Sequence, residues 1–346
     1  FLDNNGVFSD DDRKEFASIV FKLTADYDKM VYNYFCHNEV ISLDLHKESE
    51  LRYGENPHQD SSFYRVRNIK WNMHQGKQLS YNNYFDLESA IRIVLDFTEP
   101  SCSIIKHSNP CGFGTGDSLL SAYRYAVESD PISYFGGIVG FNGEIDEELA
   151  KELVQPFLEC IIAISVTEDA LKIFKKKKNL RIITVDKDFK LDKKSIRTAM
   201  GGYLVQDVDK YDDEIRNSKV VTKNTPSKND YEAIELAWKL VRYVKSNAIL
   251  ISNSNMILGV GAGQMSRVDS VKIAISKINK SNLNLGSVVL ASDAFFPFPD
   301  SLEIASEAGI KIIVQPGGSI KDDAIIEVAD RLGMIMIFTG VRHFYH

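Results

Sequence analysis

Apolar residues recur at three- and four-residue spacing through Phe16, Ile19, Val20, Leu23, Tyr27, Met30, Val31 and Tyr34, the period of one helical face. Ser9, followed by Asp12, resembles a capping box closed by a shorter acid, so a helix is expected to open there and run to about His37. Strand-like residues about 61–64 lead into a turn-rich 75–83, a helix at about 86–96 and a strand at 103–105. Alternation then sets in. Helices are expected near 119–127, 146–157 and 168–175, with strands at 136–141, 160–165 and 180–184. A polar stretch, 206–229, separates this half from a second in the same style. There, helices at 230–245, 266–278, 300–308 and 322–332 intersperse with strands at 248–252, 257–261, 288–291, 310–314 and 335–338. Helices alternating with strands imply an α/β architecture, helices packed on sheets.

Composition narrows the class. The 346 residues suffice for two compact domains, and 44% apolar with 26% charged content describes a globular chain rather than a disordered one. A net charge of −7 argues against a nucleic-acid groove, which needs a basic stripe. Small anions need only local positive charge and remain candidates. No apolar run approaches the roughly 18 residues of a membrane span. Cys36, Cys102, Cys111 and Cys160 show no C-x-x-C spacing, which points to a reduced, cytoplasmic protein without a thiolate zinc site. The chain opens on Phe1, without a targeting signal, and reads as part of a longer polypeptide.

The chemistry-bearing residues concentrate in a few strings. Leu51 to Gln59 (LRYGENPHQ) packs a cation, a phenol, a turn glycine, an Asn-Pro step and an imidazole into one loop. Arg52 and Tyr53 suit a phosphate or carboxylate, although a lone Arg-Tyr is ordinary surface. Lys106-His107 follows an apolar strand, and Asn109-Pro110 is expected to end that strand so that both side chains serve one site. A histidine, ordinarily titrating at about 6.5, takes a proton near neutrality, while a neighbouring cation holds developing negative charge. A surface Lys-His pair before a turn fits the same spacing. Lys175–Lys178 reads by itself as a solvated helix end. Gly259, Gly261 and Gly263 resemble a phosphate loop, but the spacing is G-x-G-x-G, a weak fingerprint. Its flank, running to Arg267, puts polar groups at a helix start, where anions are favoured. The aromatic run Phe295-Phe296-Pro297-Phe298 is better read as a slot for a flat heterocycle than as core, because its proline breaks regular structure. Residues 315–319 form a donor-rich turn, and the C-terminal 342–346, with two aromatics, is expected to pack.

These strings, with GKQLSYNN (76–83), KHSNPCG (106–112), DPISYFGG (130–137), KSNAI (245–249), GVGAGQMSRVDS (259–270), SDAFFPFPD (292–300), QPGGSI (315–320) and FTGVRHFYH (338–346), carry a resemblance. The chain is similar, over nearly its whole length, to the transformylase part of the family that joins AICAR formyltransferase to IMP cyclohydrolase. The resemblance implies two tandem cytidine-deaminase-like three-layer subdomains, 45–205 and 206–346, preceded by the tail and connector of a cyclohydrolase domain in 1–44. It implies formyl transfer from the co-substrate 10-formyltetrahydrofolate to the 5-amino group of AICAR, in a homodimer with sites at the interface. His107 would accept the proton and Lys106 stabilise the transition state. Arg52, Tyr53, Gly136, Glu159, Lys178, Asn247, Arg267, Phe295 and Arg342 would bind AICAR, with Lys178 at its phosphate. Val268, Asp300 and Ser319 would face the folate. No catalytic metal is implied; some relatives hold a structural potassium ion. Pro299 stands where a basic residue is usual, which puts a contact to the folate's anionic tail in doubt, and Ile164 stands where proline is common.

Two other readings are set beside this one. A zinc nucleoside deaminase needs H-x-E and a later P-C-x-x-C, whereas Pro110-Cys111 is followed by Gly112-Phe113-Gly114, without the second cysteine. A non-catalytic AICAR- or folate-binding module predicts binding without turnover.

Overall fold

The computed structural model describes residues 8–36, 40–41, 43, 45–65, 70–186, 189, 193–279 and 286–346. The chain forms two compact units: residues 1–49 with 63–68, and residues 50–62 with 69–346. In the first, α1 (Asp10–Phe35) opens on the expected capping box, Ser9 and Asp12 satisfying each other's backbone amides. Its expected end at His37 lies outside the described residues. No residue of α1 is buried, so its apolar stripe lies open. β1 (His46–Glu50) and β2 (Ser62–Arg65) form a two-stranded sheet.

The second unit holds two six-stranded mixed sheets. Its elements begin with β3 (Trp71–Gln75), α2 (Tyr81–Val94), β4 (Ser101–Lys106), β5 (Asn109–Thr115), α3 (Leu119–Ser129), β6 (Ile138–Phe141) and β7 (Glu144–Ile145). They continue with α4 (Glu147–Leu153), β8 (Cys160–Ala163), β9 (Ser165–Val166), α5 (Glu168–Phe174) and β10 (Arg181–Val185). An exposed hairpin, β11 (Lys194–Ala199) with β12 (Gly202–Asp207), precedes the second sheet. That sheet is built with β13 (Lys219–Val220), α6 (Asp230–Val241), β14 (Ile249–Ser252), β15 (Ile257–Gly261), α7 (Arg267–Lys277) and β16 (Val289–Ser292). It closes with α8 (Asp300–Glu307), β17 (Ile312–Gln315), α9 (Asp322–Arg331) and β18 (Ile335–Phe338).

The two sheets share one topology. The first runs β3-β10-β8-β6-β4-β5 and the second β13-β18-β17-β16-β14-β15. In each, two parallel pairings in the middle are flanked by antiparallel ones, one on the first side and two on the second. Successive strand residues face opposite sides. Ile104, Val139, Ile161 and Ile182 therefore join α3, α4 and α5 in one core, while Ile105, Ile138, Ile162 and Ile183 join α2 in another. That second core also takes α6 and one face of the second sheet, through Leu250, Val289 and Ile337. The opposite face, with Ile249, Leu290 and Ile313, packs on α7, α8 and α9. Helices α2 and α6 thus share a central apolar layer between two sheets.

Several boundaries depart from the sequence reading, three of them for a reason visible in the local sequence or the strand register. Helix α2 begins at Tyr81, because Ser80 and Asn83 form a capping box with an amide in the place of the usual Glu or Gln. Helix α4 ends at Leu153, short of Pro156, since the residue before a proline avoids the helical region. The strand delivering Lys106 does not end at Asn109-Pro110: it turns at His107-Ser108, and Asn109 starts the antiparallel return strand β5.

Candidate active site

The turn between β4 and β5 is a two-residue hairpin loop, and both its residues hold positive φ, 54° at His107 and 59° at Ser108. Two left-handed residues in that loop are the mark of a type I′ turn, whose usual occupants are Asn-Gly. His107 projects from this turn into solvent. Lys106, the last residue of β4, donates from Nζ to the carbonyls of Ser133 (3.3 Å) and Phe135 (3.0 Å). Asn109 accepts at Oδ1 from the Lys245 amide (3.0 Å). The hairpin is thus tied to a loop that leads to Gly136 and to a segment that leads to Asn247.

Each of those leads into a cleft. The first, about 470 Å³, is lined by Arg52, Tyr53, Lys77, Asn83, Phe157, Glu159, Lys176, Lys177, Lys178 and Arg181 among others. The LRYGENPHQ loop is held by its own hydrogen bonds, Gly54 N to Gln59 O (2.7 Å) and Asn56 N to Gln59 Oε1 (2.9 Å). The Arg52 guanidinium lies over the Tyr53 ring at 5.0 Å. Glu159 accepts from Asn83 Nδ2 (3.1 Å) and lies 3.7 Å from the buried Arg181. Gly136 adjoins this cleft, its amide donating to the Phe157 carbonyl at 2.8 Å. The lysine run taken alone as a solvated helix end instead supplies three cations to one wall, facing a single carboxylate, Glu159.

The second cleft, about 630 Å³, is lined by Asn247, Met265, Arg267, Val268, Phe295, Phe298, Asp300, Arg342 and Phe344 among others. Arg267 is buried: its Nη1 donates to Ser292 Oγ (2.8 Å) and pairs with Asp293, while Nη2 donates to Asn247 Oδ1 (2.9 Å). Asn247 Nδ2 in turn donates to the carbonyls of Gln264 (2.9 Å) and Met265 (3.1 Å). Arg342 stacks over Phe344 at 4.3 Å. Ser319 does not line this cleft; its hydroxyl accepts from the Lys321 amide, and the Lys321 ammonium sits 3.9 Å from the centre of the Phe298 ring. His107 and Lys106 line neither cleft.

Two readings of sequence strings are corrected. Gly259 and Gly261 lie in β15, where an added Cβ would stand 2.1 Å from the Ala274 carbonyl and 1.9 Å from that of Ser270. They let α7 press onto the strand and are not a phosphate loop. Gly112 and Gly114 of β5 do the same beneath α3, at 2.1 Å from Ala126 O and 2.2 Å from Ala122 O. The aromatic run is split rather than a uniform slot: Phe296 is fully buried in the core, while Phe295 and Phe298 face the second cleft. The C-terminal segment packs mainly through His343, wholly buried with Nδ1 2.6 Å from Asp209 Oδ2. Lys77, Asn83 and Arg181 were missed; the GKQLSYNN string held the first two, but Arg181 carries no local signal.

Among the described residues no group of three or more His, Cys, Asp or Glu is placed to hold a metal ion, and no helix is long and apolar enough to cross a membrane. The family model of the AICARFT/IMPCHase bienzyme matches residues 1–277. A bifunctional purine biosynthesis protein PurH of Bacillus cereus (strain AH187) is 45% identical over 360 residues, spanning the whole of this chain and 70% of the relative. The protein of the same name from Bacillus mycoides (strain KBAB4) is 44% identical over 359 residues, with the same coverage. Both the extent of the family match and the level of identity leave one conclusion: this chain belongs to the AICARFT/IMPCHase bienzyme family.

Proposed function

We propose that this chain is the formyl-transfer enzyme of purine biosynthesis, moving the formyl group of 10-formyltetrahydrofolate to the 5-amino group of AICAR to give FAICAR. The observation that carries the reading is the His107 turn, hydrogen-bonded to loops that lead into a cation-lined cleft and an aromatic-lined one. For the second activity in the family's description, a separate N-terminal domain would close FAICAR to IMP.

The attacking amine is aromatic and its lone pair is drawn toward the neighbouring carboxamide, so it is a weak nucleophile. His107 takes its proton as the N–C bond forms. The formyl oxygen gains negative charge in the tetrahedral intermediate, and Lys106 supplies the cation there. Two of the three ammonium protons are held by Ser133 and Phe135, which leaves one to donate. Collapse of the intermediate expels tetrahydrofolate, whose nitrogen takes up a proton. Alignment of two bulky substrates contributes up to ~7–11 kcal/mol.

In this reading Lys176–Lys178 and Arg52 face the nucleotide phosphate, Phe295 stacks the heterocycle, and Val268, Asp300 and Ser319 meet the folate. The AICAR groups are divided between clefts with no lining residue in common, which favours a homodimer with sites completed across the interface. The two sheets would be the cores of tandem cytidine-deaminase-like subdomains, 45–205 and 206–346. Incubation with AICAR and 10-formyltetrahydrofolate tests the reading: tetrahydrofolate should appear with the wild type and not with His107→Ala. Tight binding of both ligands without turnover would leave a binding module.

A further inference from the structure

The His107–Ser108 turn holds two consecutive non-glycine residues in the left-handed region, where a Cβ crowds the backbone. Such a pair persists only where its surroundings hold it. The holding group here is the carboxylate of Asp86, on α2. Its Oδ1 accepts from the Ser108 amide at 2.6 Å and from the Ser108 hydroxyl at 3.3 Å. Asp86 is well placed to be rigid. It lies one turn after Asn83, which caps α2 and bonds Glu159, and next to Leu87, sunk in the central core. Burial pushes the Asp86 carboxyl up, while the Ser108 donors and then His107 pull it back, so the carboxylate and the imidazole are electrostatic neighbours.

We propose that Asp86 is a positioning residue for formyl transfer: it locks the type I′ turn and thereby aims the His107 imidazole. This rests on the reading of His107 as the base. Asp86 lines neither cleft, so its loss should lower kcat and spare AICAR binding.

The test is steady-state formyl transfer by the full chain and its Asp86→Ala, Asp86→Asn, Ser108→Gly, Asp86→Ala/Ser108→Gly and His107→Ala variants, each shown folded by circular dichroism. Asp86→Ala should lower kcat roughly 10- to 100-fold, with KM for AICAR within about two-fold, the split expected when only the transition state is affected. Glycine adopts positive φ without steric cost. Adding Ser108→Gly should therefore recover much of the lost kcat, which a general loss of packing would not do. Should the alanine variant fail to fold, Asp86→Asn, close in shape, takes its place with a smaller loss, again recovered by Ser108→Gly. Wild-type kcat in Asp86→Ala beside an inactive His107→Ala overturns the positioning role, as does a loss that Ser108→Gly leaves untouched. Full activity in His107→Ala overturns the underlying reading instead.

Discussion

Arg267 and Asp293 form an ion pair that neither side chain can share with solvent: their side chains are 6% and 0% exposed. The guanidinium also bonds Ser292, Ala248 and Asn247, and the carboxylate also accepts from Ser246. Charges taken out of water are tolerated where every donor and acceptor around them is met. This pair fixes the floor of the aromatic-lined cleft and fastens Asn247 within it.

Removing one partner leaves the other charge buried and unpaired. Asp293→Ala should cost about 3–5 kcal/mol, read by urea denaturation. Arg267→Lys keeps the charge but not the planar fork and should also destabilise. A variant as stable as wild type would show that solvent reaches the pair.

The close approach of α7 to β15 is a second stability determinant. Gly261→Ala places a methyl where the Ser270 carbonyl stands and should cost about 1–3 kcal/mol through overpacking. Gly202→Ala, whose Cβ would meet nothing nearer than 3.8 Å, is the control and should be near neutral. Equal midpoints for the two in a thermal melt would refute the packing account.

The lysine wall bears on substrate affinity. Lys178→Ala should raise KM for AICAR roughly ten-fold, about 1.4 kcal/mol, with little change in kcat, and the effect should fade at high salt. An unchanged KM would move the phosphate elsewhere.

Thiol reactivity follows burial. Burial pushes Cys111 and Cys160 up to about 12, with Asp130 and Glu159 adding to the respective shifts, and it drives Cys102 well above the ordinary value. Only thiolates alkylate quickly. Iodoacetamide at pH 8 should therefore leave all three unlabelled in the folded protein, as read by peptide mass spectrometry. Rapid labelling of Cys111 would show that β5 opens.

Asp86 links the candidate site to stability. Its folded pKa lies above the unfolded value, so ionisation opposes folding: the penalty is absent below the unfolded pKa and grows as pH rises through the folded one. Asp86→Asn should gain stability relative to wild type as pH rises above about 4, then level off. Urea midpoints of both proteins between pH 4 and 7 would reveal it, and a constant gap would contradict the burial.

Much of this protein is legible one residue after another. Helical spacing and the Ser9–Asp12 box located α1, and short apolar runs located β15 and β18 to the residue. Local signals suffice there because each element's own period determines which face it buries. Of the residues that the resemblance named, Arg52, Tyr53, Glu159 and Lys178 line one cleft, and Asn247, Arg267, Val268, Phe295, Asp300 and Arg342 line another. The His107 turn was misread because Asn109-Pro110 is the stronger turn signal in sequence, whereas the strand register and Asp86, 22 residues away, select His107-Ser108.

What only the tertiary structure decided is non-local. The shared topology of the two sheets has no counterpart as a short sequence repeat, because a topology constrains strand order and not side-chain identity. The glycines of β15 resemble a phosphate loop until α7 is seen against them. Arg267 reads as a polar group at an anion-favouring helix start until Asp293 is found in its grasp, and Asp86 is one more helical acid until the chain folds back to put Ser108 in its reach. Periodicity determines which face of an element is buried. What that face meets is decided by the path of the chain between elements, and on that path depend both the aim of the imidazole and the division of the binding groups between two clefts.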